Sequence, residues 1–295
     1  MRQNGETDQG QMITDSSCYV IAEIGINHNG DVDKALEMIQ AARSAGCNAV
    51  KFQKRTIEVV YSPEELARPR ESVFGTTNGE QKRGLEFGKA EYDRVDALCR
   101  EIGIEWFASP WDEGSTDFLM GYDSPYLKVA SAMLTDKAFL EHCARTGRPL
   151  LVSTGMSDLD LIRRVVATID AAGGTIACLY HCTSTYPTKD GEINLRGVQT
   201  LAAEFPDLKI GYSGHETGLM PTVAAVALGA VSVERHVTLD RSDWGSDQAA
   251  SIEMNELADL VSDIRRLEVA LGDGTIRVYD DEKPIAEKLR RNQTV

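Results

Sequence analysis

The sequence lacks any long hydrophobic stretch. Within its 295 residues, no apolar run approaches the roughly 18 residues that a membrane-spanning helix requires. The polar N-terminus also lacks the apolar core of a signal peptide, and residues 1–17 are predicted to form a flexible leader. These absences argue against a membrane protein and against a secreted precursor. We therefore expect a cytoplasmic protein without a membrane partner.

The sequence also lacks paired cysteines and an excess of positive charge. Its six cysteines are scattered and include no C-x-x-C pair, so buried free thiols are expected rather than a cysteine metal site. The formal net charge of −15 argues against a nucleic acid or an anionic membrane as the partner. An anionic small substrate is compatible with this charge only if lysines and arginines cluster in one cleft.

Short β-rich runs alternate with amphipathic runs eight times along the chain. The predicted strands are Tyr19–Ile24, Ala49–Gln53, Glu105–Ala108, Tyr126–Val129, Leu150–Ser153, Ile176–His181, Lys209–Ser213 and Val231–Glu234. The predicted helices are Val32–Ala45, Ala90–Ile102, Gly114–Gly121, Lys137–Thr146, Asp158–Ala172, Leu195–Phe205, Leu219–Leu228 and Asn255–Leu271. This alternation indicates parallel βαβ units, and eight units in about 250 residues fit an α/β fold of the closed (β/α)8 TIM barrel type. We place the barrel at residues 18–275 and a C-terminal extension at residues 276–295.

One connection is much longer than the others. It runs from Lys54 to Lys89 and contains a possible short helix at Pro63–Ala67. A connection of this length inside a compact domain is usually a lid or a substrate-binding loop. Elsewhere the helix ends carry recognisable signals, with Asp158 before one helix and Gly103 and Gly147 after two others.

Polar residues follow the predicted strands at the end of the barrel where TIM-barrel active sites lie. His215 and His236 follow the last two strands, so their imidazoles can converge on one metal ion. Glu234 lies two residues before His236, and Asp247 lies in the next loop. Two histidines with nearby carboxylates suit a divalent ion such as Mn²⁺ or Zn²⁺. The alternative is a pair of hydrogen-bonded core histidines.

Two lysines predict a binding site for an anion at the same barrel end. Lys51 and Lys128 end the second and fourth strands, and Lys54 and Arg55 add positive charge nearby. Hydroxyl groups at neighbouring strand ends come from Ser109, Ser131, Ser153 and Ser213. Lysines supply point charges and hydroxyls supply directed donors, as a phosphate beside a carboxylate requires. The alternative is that the lysines are solvated at the surface.

The motifs at these strand ends resemble the sialic acid (N-acetylneuraminate) synthase family. They are the segments 22–30 (AEIGINHNG), 50–53 (VKFQ), 151–156 (LVSTGM), 181–188 (HCTSTYPT), 211–215 (GYSGH), 234–236 (ERH) and 282–286 (EKPIA). The resemblance covers roughly Cys18 to Arg291. It does not include the family's small C-terminal antifreeze-like domain, so we expect the barrel domain alone.

The resemblance implies a specific reaction. Phosphoenolpyruvate would condense with the aldehyde of an N-acylmannosamine-like sugar, giving a 2-keto-3-deoxy sugar acid of the nonulosonate type and phosphate by C–O cleavage. The resemblance implies that the metal, Mn²⁺ or alternatively Mg²⁺, Co²⁺ or Zn²⁺, is held by His215 and His236 and polarises the aldehyde. It also implies a homodimer or a higher homo-oligomer.

The same resemblance assigns roles to individual residues. Phosphoenolpyruvate would bind on Lys51, Ser109, Lys128, Ser131, Ser153 and Ser213. The catalytic residues would be Lys51, Glu23 as the proton-transfer group, and Glu234 and Asp247 as groups that orient metal-bound water. The sugar pocket would include Gln53, Asn78, Ser184 and Tyr186.

The acceptor sugar is where the sequence departs from the family pattern. Ala132-Met133 replaces a common Gly-Glu pair, and Ser184 replaces a usual asparagine. One alternative is therefore an octulosonate- or heptulosonate-type synthase that uses a phosphorylated aldose. Its distal phosphate could bind to the cations of the long connection, which are Arg68, Arg70, Lys82 and Arg83. The other alternative is a barrel that binds phosphorylated metabolites without turnover.

Overall fold

The structure, a computed structural model, describes residues 13, 14 and 16–291. Most of the predicted leader, residues 1–12 and 15, lies outside the described residues, as do residues 292–295 of the predicted extension. Ile13 is buried, and its backbone N–H donates a 3.1 Å hydrogen bond to the hydroxyl oxygen of Tyr126. No helix in this part of the chain has the length and apolar character needed to cross a membrane.

Eight parallel strands form a barrel, which confirms the predicted (β/α)8 fold. They are β1 (Tyr19–Gly25), β2 (Ala49–Lys54), β3 (Glu105–Pro110), β4 (Leu127–Val129), β5 (Leu150–Ser153), β6 (Ile176–Cys182), β7 (Ile210–Gly214) and β8 (Ser232–Thr238). Hydrogen-bonded neighbours follow the order β3-β2-β1-β8-β7-β6-β5-β4, and every pair in this order is parallel. Strands β3 and β4 lie side by side and complete the ring.

Eight helices surround the strands, close to the predicted positions. They are α1 (Val32–Ala45), α2 (Lys89–Ile102), α3 (Glu113–Leu119), α4 (Lys137–Arg145), α5 (Leu159–Ala171), α6 (Arg196–Glu204), α7 (Met220–Ala227) and α8 (Met254–Leu271). The predicted end signals also have the expected geometry. Asp158 caps α5 by accepting a hydrogen bond from the N–H of Leu161, and Gly103 ends α2 in the left-handed region at φ 69°.

The long connection contains more regular structure than predicted. Short helices occur at Ile57–Val60, Pro63–Leu66 and Asn78–Leu85, and an antiparallel hairpin joins Pro69–Ser72 to Gly75–Thr77. Only the second of these helices was predicted, because the other elements are too short to show a clear periodic pattern. Local hydrogen bonds stabilise them instead of an apolar stripe. Thr77 and Glu80, for example, form a reciprocal capping box at the start of the third helix.

The inside of the barrel has an apolar layer below a polar layer. At the N-terminal end the inward side chains are apolar and buried, and include Ile21, Ala49, Phe107, Leu151 and Tyr180. Since inward side chains recur every second residue of a strand, the next inward positions on the same strands are Glu23, Lys51, Ser109, Ser153 and Cys182. The apolar layer closes the barrel floor and leaves the polar layer facing the C-terminal rim. All six cysteines are free and buried, which confirms that prediction.

Candidate active site

Two lysines and two glutamates form a buried charged layer at the rim. Glu23, Lys51, Lys128 and Glu234 are each no more than 4% exposed. Lys51 Nζ lies 3.1 Å from Glu23 Oε2 and 3.3 Å from Glu234 Oε1, while Lys128 Nζ lies 3.2 Å from Glu234 Oε2. Glu234 therefore bridges the two ammonium groups, and each charge has an opposite partner as burial requires. The lysines are not solvated at the surface, so that alternative is excluded.

Their surroundings shift the pKa values of the two glutamates in opposite directions. Burial raises the pKa of Glu23 to about 7, aided by the charge of Glu234 and opposed by Lys51. Burial also disfavours ionised Glu234, but the charges of Lys128 and Lys51 outweigh it and lower the pKa of Glu234 to about 2. Glu234 is therefore the permanent anion of the layer, and Glu23 is the group that can exchange a proton near neutral pH.

The predicted serines surround the lysines. Lys51 Nζ donates to Ser109 Oγ at 3.2 Å, Lys128 Nζ donates to Ser153 Oγ at 2.5 Å, and Ser213 Oγ donates to Glu234 Oε1 at 3.3 Å. An inner cavity of about 250 Å³ is lined by both lysines and by Ser109, Ser131, Ser153 and Ser213. The fold therefore brings the lysines and serines of the predicted anion site together around one cavity.

The absence of a side chain at Gly155 leaves room for two serine hydroxyls beside this cavity. The N–H of Gly155 donates to Ser131 Oγ at 2.9 Å, and a Cβ atom on residue 155 would lie 2.1 Å from Ser184 Oγ and 2.9 Å from Ser131 Oγ. A side chain at this position would therefore displace both hydroxyls. Ser131 and Ser184, which line the inner cavity, can both lie this close to residue 155 only because it is glycine.

The two predicted metal-ligating histidines lie side by side at the edge of the inner cavity. Their ring centroids are 5.5 Å apart, and the ring of Tyr186 lies 4.1 Å from His215 and 5.8 Å from His236. His215 Nδ1 is hydrogen-bonded at 2.7 Å to the carbonyl oxygen of Thr183, so a neutral ring presents the lone pair of Nε2. Burial lowers the pKa of His236 to about 4, which keeps this imidazole neutral at physiological pH.

The donor set fits a divalent metal ion. Nδ1 of His236 is buried and has no hydrogen-bond partner among the described residues, whereas His28 and His181 have backbone partners at Gly30 and Ile193. His236 therefore differs from the hydrogen-bonded histidines at positions 28, 181 and 215. In the described part of the chain, no cluster of three or more His, Cys, Asp or Glu side chains is arranged to hold a metal. These two imidazoles would leave the other coordination positions to substrate and water.

The two predicted carboxylates for metal-bound water lie in different places. Glu234 contacts the two lysines rather than the histidine rings. Asp247 lines an outer cavity of about 280 Å³ together with His236 and Tyr186, and its charge favours protonation of His236. Of the two carboxylates, Asp247 is the one that lies beside an imidazole and could orient metal-bound water.

Three of the four predicted sugar-binding residues reach these cavities. Gln53 and Tyr186 line both cavities, and Ser184 lines the inner one. The structure does not bring Asn78 to either of them. Its side-chain N–H groups donate to the backbone carbonyl and the carboxylate of Glu65, within the long connection. Asn78 begins a helix there, and no motif around it indicated that its amide binds within the long connection.

Sequence analysis missed several residues of the site. Trp111 lines both cavities, and its place directly after Ser109-Pro110 at the end of β3 was the available signal. Arg235 is only 1% exposed, and its guanidinium lies 3.1 Å from the carboxylate of Glu216, between the two histidine-bearing segments. Nothing in the spacing of these residues predicted that ion pair, because it joins strand β8 to the segment after β7 through the fold.

Comparison with known proteins gives one consistent family. The family model described as the NeuB family matches residues 38–276. N-acetylneuraminate-9-phosphate synthase of Mus musculus is 42% identical over 93% of this chain and 77% of its own length. N,N'-diacetyllegionaminic acid synthase of Legionella pneumophila is 37% identical over 99% and 83%. The crystal structure of N-acetylneuraminic acid (sialic acid) synthetase from Leptospira borgpetersenii superimposes with a TM-score of 0.81 at 31% identity, covering 94% of both chains.

Proposed function

Because the chain belongs to the NeuB family, we propose that it condenses phosphoenolpyruvate with the aldehyde of an open-chain N-acylated aldose. The products are a 2-keto-3-deoxy sugar acid of the nonulosonate type and inorganic phosphate. The names of the relatives support this reaction, since they are synthases of N-acetylneuraminate 9-phosphate and of a legionaminic acid. The observation that carries the proposal for this chain is the buried pair of lysines beside the two histidines.

The inner cavity suits phosphoenolpyruvate. Its carboxylate and phosphate together carry charges that the ammonium groups of Lys51 and Lys128 can balance, while the hydroxyls of neighbouring serines supply directed hydrogen bonds. Glu234 favours the ammonium form of both lysines when substrate is absent, because it lies within 3.3 Å of each ammonium group. The site is thus organised before the anion arrives.

The reaction balances as follows for these substrates. C3 of phosphoenolpyruvate attacks the aldehyde carbon, a C–C bond forms, and the aldehyde oxygen takes up a proton to become a hydroxyl. Water adds at C2 and loses a proton. The bond between C2 and the phosphate oxygen then breaks, phosphate leaves with its electron pair, and loss of the remaining hydroxyl proton produces the ketone.

We propose that Glu23 moves the proton of the attacking water. Its Oε1 accepts a 2.9 Å hydrogen bond from Gln53, while Oε2 faces Lys51 and has no hydrogen-bond partner among the described residues. A carboxylate with a pKa of about 7 accepts a proton and returns it readily near neutral pH. Oε2 is the atom we assign to this transfer.

The metal would be held by His215 and His236, and Mn²⁺ is the ion we propose. When bound, it would supply Lewis-acid polarisation of the aldehyde carbonyl. The chain's own contribution is to keep the ring of His236 neutral and to fix the positions of both rings. The carbonyl oxygen of Thr183 orients His215, and the aromatic ring of Tyr186 packs against both imidazoles.

The experiment that tests the proposal is a phosphate-release assay. The full chain is mixed with phosphoenolpyruvate, Mn²⁺ and a panel of aldoses that includes N-acylmannosamines, neutral hexoses and pentoses. We expect phosphate release only when a suitable aldose is present, in equal amount with the sugar acid formed. Phosphate release from no member of the panel would contradict the proposal, and binding of phosphoenolpyruvate without turnover would favour a non-catalytic barrel.

A further inference from the structure

Two segments line the outer cavity without lining the inner one. The long connection contributes Tyr61 and Leu85 to the outer cavity, and residues 239–251, which we call the rim loop, contribute Ser246 and Asp247. No described residue of either segment lines the inner cavity, whose walls are formed by the strand ends and by the residues that follow them directly. A change that moves the two segments should therefore alter the outer cavity and leave the inner one intact.

The ring of Phe74 joins these two segments. Phe74 lies in the turn of the hairpin in the long connection, and its ring packs edge-on against the ring of Trp244 in the rim loop. The two ring centroids are 5.9 Å apart and the ring planes meet at 70°, a favourable geometry for an aromatic pair. Because Trp244 is three residues before Asp247, the contact links the hairpin to the part of the rim loop that lines the outer cavity.

Two glycines leave room for the Phe74 ring. A Cβ atom on residue 84 would lie 2.2 Å from Cγ of Phe74, and a Cβ atom on residue 30 would lie 2.8 Å from Cζ. Gly84 belongs to the helix Asn78–Leu85, whereas Gly30 follows strand β1. The ring therefore packs between the backbone of the long connection and the backbone of the barrel rim, and it contacts Trp244 from this fixed position.

The middle of the rim loop lies between two anchored residues. Asp243 forms an ion pair with a lysine of α1, and Gln248 is buried. The stretch between them contains Asp247 and also Gly245, whose φ of 148° is one that residues with a side chain rarely adopt. The contact between the two aromatic rings supports this stretch from the side of the long connection.

We propose that Phe74 is a positioning residue for the acceptor, because it holds the rim loop and its Asp247 at the outer cavity. This inference rests on the proposed function, since it takes the acceptor to extend from the histidines into the outer cavity while phosphoenolpyruvate occupies the inner one. Without the ring of Phe74, the rim loop loses its contact with the hairpin, and Asp247 moves away from His236. A misplacement of about 1 Å can lower the rate about 10²-fold.

Two variants remove the contact in different ways. Phe74→Ala deletes the ring, whereas Gly84→Ala keeps the ring and places a methyl group where it lies. Alanine is favoured over glycine in a helix, so the backbone tolerates the second change. With saturating phosphoenolpyruvate and Mn²⁺, both variants should lower kcat/KM for the acceptor about 10- to 100-fold in the phosphate-release assay. The dissociation constant for phosphoenolpyruvate, measured by calorimetry, should stay as in the wild type.

Val73→Ala is the matched control. Val73 is the preceding residue of the same turn and is 74% exposed, so its truncation should change neither kcat/KM for the acceptor nor the affinity for phosphoenolpyruvate. Equal kcat/KM in Phe74→Ala and Val73→Ala would overturn the inference. An equal loss for both substrates in Phe74→Ala would overturn it as well, because that result would show a general structural defect.

Hydrogen exchange decides the inference if no acceptor turns over, an outcome that would count against the proposed function instead. Mass spectrometry follows exchange of the backbone amides from subsecond to minute times, in the full chain without substrate. Residues 244–250 should exchange about tenfold faster in Phe74→Ala and Gly84→Ala than in Val73→Ala, because the loop opens more often, while β1 and β8 stay unchanged. Exchange as slow as in Val73→Ala in either variant would overturn the proposed role of Phe74.

Discussion

The ammonium group of Lys51 lies 3.1 Å from the carboxylate of Glu23, and both side chains are almost fully buried. An adjacent cation would ordinarily keep a carboxyl group strongly acidic. Here burial outweighs the cation, and Glu234 adds repulsion, so the pKa of Glu23 rises to about 7. Glu23 can therefore gain or lose a proton near neutral pH, in the layer where we propose that substrate binds.

This pKa predicts how the reaction rate depends on pH. Ionised Glu23 accepts the proton of water, so kcat/KM for phosphoenolpyruvate should rise with pH through about 7, where the free enzyme loses this proton. Glu23→Gln should remove that rise and lower kcat about 10²- to 10⁴-fold. Glu141→Gln is the control, since that carboxylate is a partly exposed group on α4 paired with Arg145. A variant Glu23→Gln that keeps the wild-type pH profile would contradict the assignment.

Lys128 should control the affinity for phosphoenolpyruvate. Burial lowers the pKa of Lys128, and the charge of Glu234 opposes that effect and favours the ammonium form. Lys128→Met should raise the dissociation constant for phosphoenolpyruvate about 10- to 100-fold, measured by calorimetry. Lys137→Met is the matched control, since that lysine is exposed and pairs with Glu141. Equal affinities of the two variants would show that the anion binds elsewhere.

Loss of one imidazole should weaken metal binding. Removal of a residue that only hydrogen-bonds a ligating histidine typically lowers metal affinity about 10- to 100-fold. Because His236→Gln removes the ligand itself, we expect it to lower Mn²⁺ affinity at least about 100-fold. Electron paramagnetic resonance of free Mn²⁺ reports this affinity without any need for turnover. His142→Gln, a surface histidine bonded to Asp117, should bind Mn²⁺ as the wild type does. Unchanged affinity in His236→Gln would remove the basis for the proposed metal site.

The ion pair of Arg235 and Glu216 should contribute strongly to stability. The guanidinium also donates to the carbonyl oxygens of Glu216 and Gly218, at 2.7 and 2.8 Å. Arg235→Met leaves the buried Glu216 carboxylate without its cation, so the free energy of unfolding should fall by about 3–5 kcal/mol. Urea denaturation measures this change. The double variant with Glu216→Gln should recover part of the loss, and a single variant as stable as the wild type would contradict this account.

The barrel could be predicted from sequence because its signals are local. Alternating apolar runs, the cap at Asp158 and the glycine after α2 each specify a nearby piece of backbone. The polar layer was also predictable, since inward positions recur every second residue and strand ends share one rim. Lys51 and Lys128 were therefore predicted together, whereas Glu234 was predicted beside the histidines and instead lies between the two ammonium groups.

The wrong predictions concern residues whose contacts come from distant parts of the chain, which residue spacing in the sequence does not reveal. Strand β8 was predicted to end at Glu234, but it continues to Thr238. Arg235 and His236 are buried by residues from other segments, and the short strand Ile252–Glu253 pairs with the last two residues of β8. The four basic residues singled out in the long connection looked equivalent in sequence. Only the fold shows that Arg68 and Arg83 have carboxylate partners while Arg70 and Lys82 face a cavity.

The most direct test of the central claim follows the bridging oxygen of phosphoenolpyruvate. The enol ester oxygen is labelled with ¹⁸O, and ³¹P NMR then monitors the phosphate released in the presence of Mn²⁺ and an N-acylated aldose acceptor. Condensation with cleavage between C2 and oxygen predicts that all released phosphate carries the label and that none forms without the acceptor. Unlabelled phosphate, or release that does not depend on the acceptor, would contradict it.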